Sequence, residues 1–346
     1  MKSGLPISMA LIGLCCLGFA ATAETASAAD RTGALRQTLS AQEARLGRTN
    51  PALLPALDKL AQERWRDGDL AEAVVLRRRA LGIAVHAFGN GSPRAAEAMI
   101  ALAQAHIDRR QYLDAEPLLI IAATVLEGGT EPASPALADA FAGLARIAAA
   151  HGSAEAGANW AERAIEAAKS RPQRSSKPLL ALAAVRASEE RFADSEQLVR
   201  DALTRDRERF SPDGLAVARD LSQLGNLYLR QKRYAEALPL LQQAAAIDQQ
   251  ALGPAHPFIA DDFYDFGLAL DGLKRPDQAG KSLAFAVKLL GSGSEKDSLR
   301  LAYAERELAR VLRAAGKDEA AKPAAEGSKR ILDKIEDEER DRERQI

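Results

Sequence analysis

Side chains able to do chemistry are few in this sequence, and their spacing rules out most of it. Four histidines occur, His86, His106, His151 and His256, and no two lie three to five residues apart. No single helix therefore offers the paired imidazoles of a helical metal site. The two cysteines, Cys15 and Cys16, are neighbours near the N-terminus, so the rest of the chain has no thiol nucleophile, thiolate ligand or disulfide. Gly291-Ser292-Gly293-Ser294 is rich in Gly and Ser, but no Lys-Ser/Thr follows, and it reads as a linker rather than a phosphate cradle. Asn90-Gly91-Ser92 fits a glycosylation sequon, a short pattern that a loop explains equally well. A Ser-His-Asp triad assembles in space rather than in sequence, but no nucleophile elbow is present. Charge remains. Arg306, Arg310 and Arg313 stand three or four apart and put three guanidinium forks on one helix stripe, where they can pair with carboxylates. The chain is expected to recognise rather than catalyse, with no metal and no cofactor.

These residues must be positioned by helices. Apolar residues make up 47% of the 346-residue chain and aromatic residues only 5%. Ala and Leu dominate, and they lose little side-chain freedom in a helix. Formal net charge is −1, from 47 Lys and Arg against 48 Asp and Glu. Such a balance supplies no bulk field to recruit nucleic acid or an anionic membrane, so neither is an expected partner.

The first residues read as a secretory signal. Lys2 precedes an apolar run from Ile7 to Ala21 interrupted only by Ser8, and two small-residue cleavage sites follow, Ala21-Thr22-Ala23 and Ala26-Ser27-Ala28. The run is short of the ~20 residues a spanning helix needs. A signal peptide over 1–28 is expected, a periplasmic or secreted location, and no membrane insertion after cleavage.

The remainder repeats with a period of 42. Leu60-Ala61 recurs as Leu102-Ala103, Leu144-Ala145, Leu182-Ala183, Leu224-Gly225, Phe266-Gly267 and Leu308-Ala309, the fourth copy arriving four residues early. Two further markers keep step: Ala73, Ala115, Gly157, Ser195, Ala237, Ala279, Ala321; and Ala80, Ala122, Ala164, Ala202, Ala244, Ala286, Ser328. In the fifth copy Leu221, Leu224, Gly225 and Tyr228 have helical spacing, as do Ala237, Leu240, Leu241 and Ala244. Gln231-Lys232-Arg233 is the turn between them. One such hairpin cannot bury both faces, so neighbours must stack.

Leu224-Gly225, Tyr228, Ala237 and Ala244, with the turn entering Tyr234-Ala235-Glu236-Ala237, resemble the tetratricopeptide repeat. The repeat is longer than the usual ~34 residues. Its ending Leu252-Gly253-Pro254-Ala255-His256-Pro257, echoed at Leu46–Pro51 and Phe88–Pro93, resembles the long repeats of kinesin light chains. The resemblance implies an all-α, right-handed superhelical solenoid of helix hairpins. The organisation expected is an N-terminal capping helix within 31–50, seven copies over 51–335 and a charged tail over 336–346, with a slight kink at the Pro/Ser link near Arg171–Ser176.

It also implies an extended concave face lined by the first helix of each pair. Positions projecting there are Asp58, Gln62 and Arg66; Glu97, Gln104 and Asp108; Asp139 and Arg146; Leu180, Ala184 and Ala187; Arg219, Ser222, Asn226 and Arg230; Asp261, Tyr264 and Asp271; Tyr303, Arg306, Arg310 and Arg313. Arg219, Asn226, Arg230, Tyr264, Arg306 and Arg310 are the candidate partner-binding residues, for an acidic or C-terminal segment of another protein. The expected function is an exported, non-enzymatic protein-interaction scaffold; the alternative is an accessory subunit or cryptic hydrolase of the cell envelope.

Overall fold

The structure, a computed structural model, describes residues 21–129, 135–169, 175–292 and 299–343. Most of the signal segment with Cys15 and Cys16, residues 171–174 of the Pro/Ser link, and Gly293 and Ser294 lie outside these. Fifteen α-helices and one 3-10 turn, Pro51–Leu53, account for nearly all of the described residues, with no strand among them. Helix α1 (Ala21–Leu46) precedes seven hairpins. These are α2 (Leu54–Arg66) with α3 (Leu70–Phe88), α4 (Pro93–Asp108) with α5 (Tyr112–Glu127), and α6 (Pro135–Ala150) with α7 (Ala154–Ala168). Next come α8 (Lys177–Ser188) with α9 (Phe192–Arg209), α10 (Leu215–Arg230) with α11 (Tyr234–Leu252), and α12 (Pro257–Gly272) with α13 (Pro276–Ser292). The last pair is α14 (Leu299–Ala314) with α15 (Asp318–Glu343). Each helix packs on the next, and first helices α4, α6 and α8 also pack on one another in order. The chain is an all-α superhelical solenoid. The capping segment expected from residue 31 is the later part of α1, which begins at Ala21, and the charged tail continues α15 as far as Glu343.

The repeat is written into the backbone as well as the side chains. In every hairpin one turn residue has positive φ: Gly68, Arg110, Gly152, Glu190, Lys232, Lys274 and Gly316. These positions step by 42 residues, except for the 38 from Gly152 to Glu190. After each, the next amide bonds back five residues, as from Arg233 to the Tyr228 carbonyl (2.8 Å) or from Lys317 to Leu312 (2.9 Å). This left-handed closure satisfies carbonyls that the helix end leaves without partners. Charged residues occupy four of the seven turns, at a cost of roughly 1 kcal/mol each relative to glycine.

Close approach within a hairpin explains the small-residue markers. A Cβ added at Gly225 would lie 2.6 Å from Leu241, and one at Gly267 2.8 Å from Leu283. The Ala73 series is buried in every copy. Where it is polar, at Ser195, the hydroxyl donates to the Ala183 carbonyl at 2.8 Å. Leu57, Leu60, Leu119, Leu144, Leu221, Leu241, Leu270 and Leu283 are almost wholly buried, each stabilising by about 1.5–3 kcal/mol. The interior is a series of adjoining apolar clusters along the spiral rather than one central core.

The spiral is tight enough to meet itself. Between the first hairpin and the sixth, His256 Nε2 lies 2.8 Å from the Trp65 carbonyl. The Trp65 ring packs against His256 (5.3 Å) and Phe258 (5.4 Å). From the second hairpin, Arg110 reaches Asp261 at 3.7 Å. The expected open concave face is thus closed along part of its length: the turns after α2 and α4 touch the start of α12.

Candidate partner-binding site

The concave surface is lined by the first helices. Between α6, α8, α9 and α10 it deepens into a pocket of about 320 Å³. Arg146, Gln223, Asn226 and Arg230 form its polar wall, and Ala183, Ala184, Ala187 and Val199 its apolar floor. The floor is formed of short side chains because α8 carries alanine at 183, 184 and 187.

The electrostatics of this wall are unusual for a repeat protein surface otherwise laced with ion pairs. Arg146 is open to water yet crowded by protein, which lowers its pKa; Asp108 pulls it upward and Arg219 pushes it down. Among the described residues neither Arg146 nor Arg230 has a hydrogen bond or ion pair to a carboxylate; Arg230 lies 5.6 Å from the Phe192 ring. Asn226 hydrogen-bonds Asp265, whose carboxyl is pushed up to about 7 by burial and by Asp261. Asp108, raised by burial, accepts from Trp65 Nε1 (2.9 Å) and Gln104 (2.7 Å). Two guanidiniums with no direct carboxylate partner, above an apolar floor, can receive an anionic group attached to a small apolar body.

Residues 175–250 and 221–284 match the family model described as "Tetratricopeptide repeat", and the hairpins there have the period and turn geometry of the rest of the solenoid. Residues 175–284 thus match the tetratricopeptide repeat, and hairpins of the same geometry continue on either side of them. No curated protein matches the sequence. Similar solved structures include the nearly identical TPR-like repeats of a putative kinesin light chain from Podosopora anserina: identity 17%, TM-score 0.47, covering 58% of this chain and 98% of that one. BtubC (BKLC) from P. vanneervenii is 16% identical with a TM-score of 0.38, over 78% of this chain and 91% of that one. MamA from Desulfovibrio magneticus RS-1 is 18% identical with a TM-score of 0.38, over 57% and 93%.

In this solenoid the six candidate residues do not form one site. Asn226 and Arg230 share the pocket. Arg219 is one step away but engaged: its guanidinium donates to Ser176 Oγ and Asp206 (both 2.9 Å) and to Asp220 (3.1 Å), tying α8, α9 and α10 together. Asp220 is fully buried, and burial pushes it up to about 7. Tyr264 is half-buried, packs against apolar residues of α13 and α14, and is pushed up to about 12 by burial and by Glu307. Arg310 bonds Asp271 and Glu307, both at 2.7 Å. Arg306 is exposed and lies 4.8 Å from the Tyr303 ring.

Two sequence readings need correction. Leu180, projected into the groove, is core, packed with Ala183 and Val199. Arg146, projected but not singled out, is the central cation of the pocket. Its signal was its register, one repeat before Ala184, which shares that pocket. Arg110 was unreadable: it sits in a turn, and only the closing of the spiral brings it to Asp261. Trp65 proves to be a packing residue, as does Trp160, stacked on Phe141 at 5.6 Å. No helix among the described residues is long and apolar enough to cross a membrane, and no group of three or more His, Cys, Asp or Glu there could hold a metal ion.

Proposed function

We propose that this protein is an exported, non-enzymatic scaffold that holds an acidic segment of a partner protein in its concave channel. Tetratricopeptide repeats generally mediate protein–protein interaction, and the observation that carries the finer reading is the Arg146–Arg230 pocket. Two guanidiniums without a carboxylate partner flank Asn226 and Gln223 over an alanine floor. A carboxylate placed there pairs with forks that have no direct carboxylate partner in the protein, and the amides can bond the segment's backbone. The Lys2 start, the apolar Ile7–Ala21 run and the two Ala-x-Ala sites support export to the periplasm or medium.

The binding test uses a fluorescein-labelled Asp/Glu-rich peptide and its Asn/Gln counterpart. Tight binding of the first only, weakened by salt, is expected. Equal affinity for both would remove the acidic specificity. Export is checked separately by cell fractionation: uncleaved chain retained in the cytosol of a producing cell would refute it.

A further inference from the structure

We propose that the contact between the turn after α2 and the start of α12 is a latch that holds the channel shut, and that it opens when His256 takes up a proton. The case begins with three equivalent loops. At the ends of α1, α3 and α11 the chain passes through a left-handed glycine, Gly47, Gly89 or Gly253, and enters the next helical segment at Asn50-Pro51, Ser92-Pro93 or His256-Pro257. Each residue before proline caps its helical turn with a side-chain acceptor. Asn50 receives the Ala52 amide (2.9 Å), Ser92 the Ala95 amide (3.1 Å), and His256 Nδ1 the Phe258 amide (3.1 Å). Capping alone needs only a short polar side chain. Histidine does more: with Nδ1 accepting, the proton sits on Nε2, which donates to the Trp65 carbonyl 191 residues away (2.8 Å).

The opposing surface is built to be met. A Cβ at Gly68, φ +81°, would stand 2.8 Å from Pro257 Cδ, so glycine is required there for both conformation and contact. The turn is held by Arg64, which bonds Glu72 (2.5 Å), Asp67 (3.2 Å) and Asp69, and by Thr32 of α1 donating to Asp67 (2.8 Å). A second arm, Arg110 to Asp261 at 3.7 Å, closes beside it. The latch also touches the pocket. Trp65, which holds His256 through its carbonyl, holds Asp108 through its indole N–H, and Asp108 is the carboxylate nearest in effect to Arg146.

The charged groups facing His256 are Asp67 from the turn after α2, Asp261 from its own helix and Arg300 from α14, which itself pairs with Asp261 at 2.6 Å. Burial outweighs the two carboxylates and holds the imidazole down at about 4. Protonation would place a hydrogen on Nδ1, against the Phe258 N–H, and a charge in an aromatic seat. The cap requires the neutral ring; the Nε2–H bridge does not, but a hydrogen forced between Nδ1 and the Phe258 N–H, with the charge held out of water, unseats the ring that makes the bridge, so acid opens the latch. Asp265, pushed up to about 7, is neutralised earlier and weakens the Arg110 arm first.

The decisive variant is His256→Asn, which keeps a cap as Asn50 does but cannot reach Trp65. It is examined in a Trp160→Phe background, where Trp65 is the sole indole, by Trp65 emission and small-angle scattering from pH 7.5 to 3.5. In the parent, a reversible red shift and a larger radius of gyration are expected as pH falls toward 4, with helicity retained. His256→Asn should show both already at neutral pH and lack the step near 4. Unchanged radius and emission in His256→Asn, or a parent that stays compact to pH 3.5, would overturn the latch; so would opening accompanied by loss of helicity. Gly68→Ala gives an independent opening from the other side. That the latch gates partner capture rests on the channel reading, and the acidic peptide separates the two. Association faster by on the order of tenfold in His256→Asn supports gating. Opening with no peptide binding in either state leaves the latch standing and removes the channel reading.

Discussion

The arginines of the middle hairpins and those of the last hairpin look alike in sequence and differ in circumstance. Arg146 and Arg230 come from different helices, face one open pocket, and make no hydrogen bond or ion pair to a carboxylate among the described residues. Arg306, Arg310 and Arg313 share one helix, α14, but Arg310 is already neutralised by Asp271 and Glu307, and Arg306 lies open beside Tyr303. A cation stripe is therefore a weaker guide to a binding site than cations from separate helices that converge on one pocket without a direct carboxylate partner. The former is readily satisfied by its own neighbours; the latter keep their donors open to a ligand. The sharpest way to break this comparison is to reverse the charge on each set. Arg146→Glu with Arg230→Glu should weaken capture of the acidic peptide by about 100-fold or more, by fluorescence anisotropy, each lost charge-assisted bond being worth about 1.5–3 kcal/mol. Arg306→Glu should weaken it only a few-fold, through long-range field. The reverse ranking would move the site to α14.

Arg219 sharpens the same comparison from the side of stability. It lies near the pocket and acts on the fold, because its guanidinium is shared between the buried carboxylates of Asp206 and Asp220. Arg219→Ala should destabilise by about 2–3 kcal/mol in urea unfolding, less than a fully buried pair because the arginine is partly exposed. The pH sign follows from Asp220. Its folded pKa, about 7, lies above the unfolded value near 3.9, so the stability it lends is fully present below about pH 4 and is lost as pH rises through 7. Removing the arginine removes what favours the charged form, so the loss caused by Arg219→Ala should grow between pH 5 and pH 8. A flat difference would mean that Asp206 alone carries the contact.

How much of this was readable beforehand depends on whether the cause was local. The seven hairpins were legible because Leu60-Ala61, Ala73 and Ala80 recur wherever helices must approach, and the structure buries almost every one of those positions. The left-handed turns were half-hidden, since only Gly68, Gly152 and Gly316 advertise them; at Arg110, Glu190, Lys232 and Lys274 the helix-end hydrogen bonds override residue preference. Groove positions followed from register, which located Asn226, Arg230 and Ala184, but register cannot tell a free side chain from an engaged one. Arg219 and Arg310 are engaged in this way: besides the nearby Asp220 and Glu307, each pairs with a carboxylate 13 or 39 residues away. The closure through Trp65 and His256 was beyond reach, because it depends on the summed rotation of five repeats, to which each contributes too little to leave a trace in its own sequence.

The mildest change tests the far end of the comparison. Arg310 is half exposed and makes two geometrically good ion pairs, one within α14 and one across to α12. Counted as contacts they suggest a structural clamp as firm as Arg219. Their setting argues otherwise. The charges stay in water whether or not they meet, and holding three long side chains in place costs entropy that offsets the attraction. Arg310→Ala should therefore lower stability by no more than about 1 kcal/mol, the loss should shrink in added salt, and acidic-peptide affinity should stay within about threefold of the parent. Salt is the discriminating variable: an effect that persists at high ionic strength would mean that Arg310 acts by packing its stem against α12 rather than by charge.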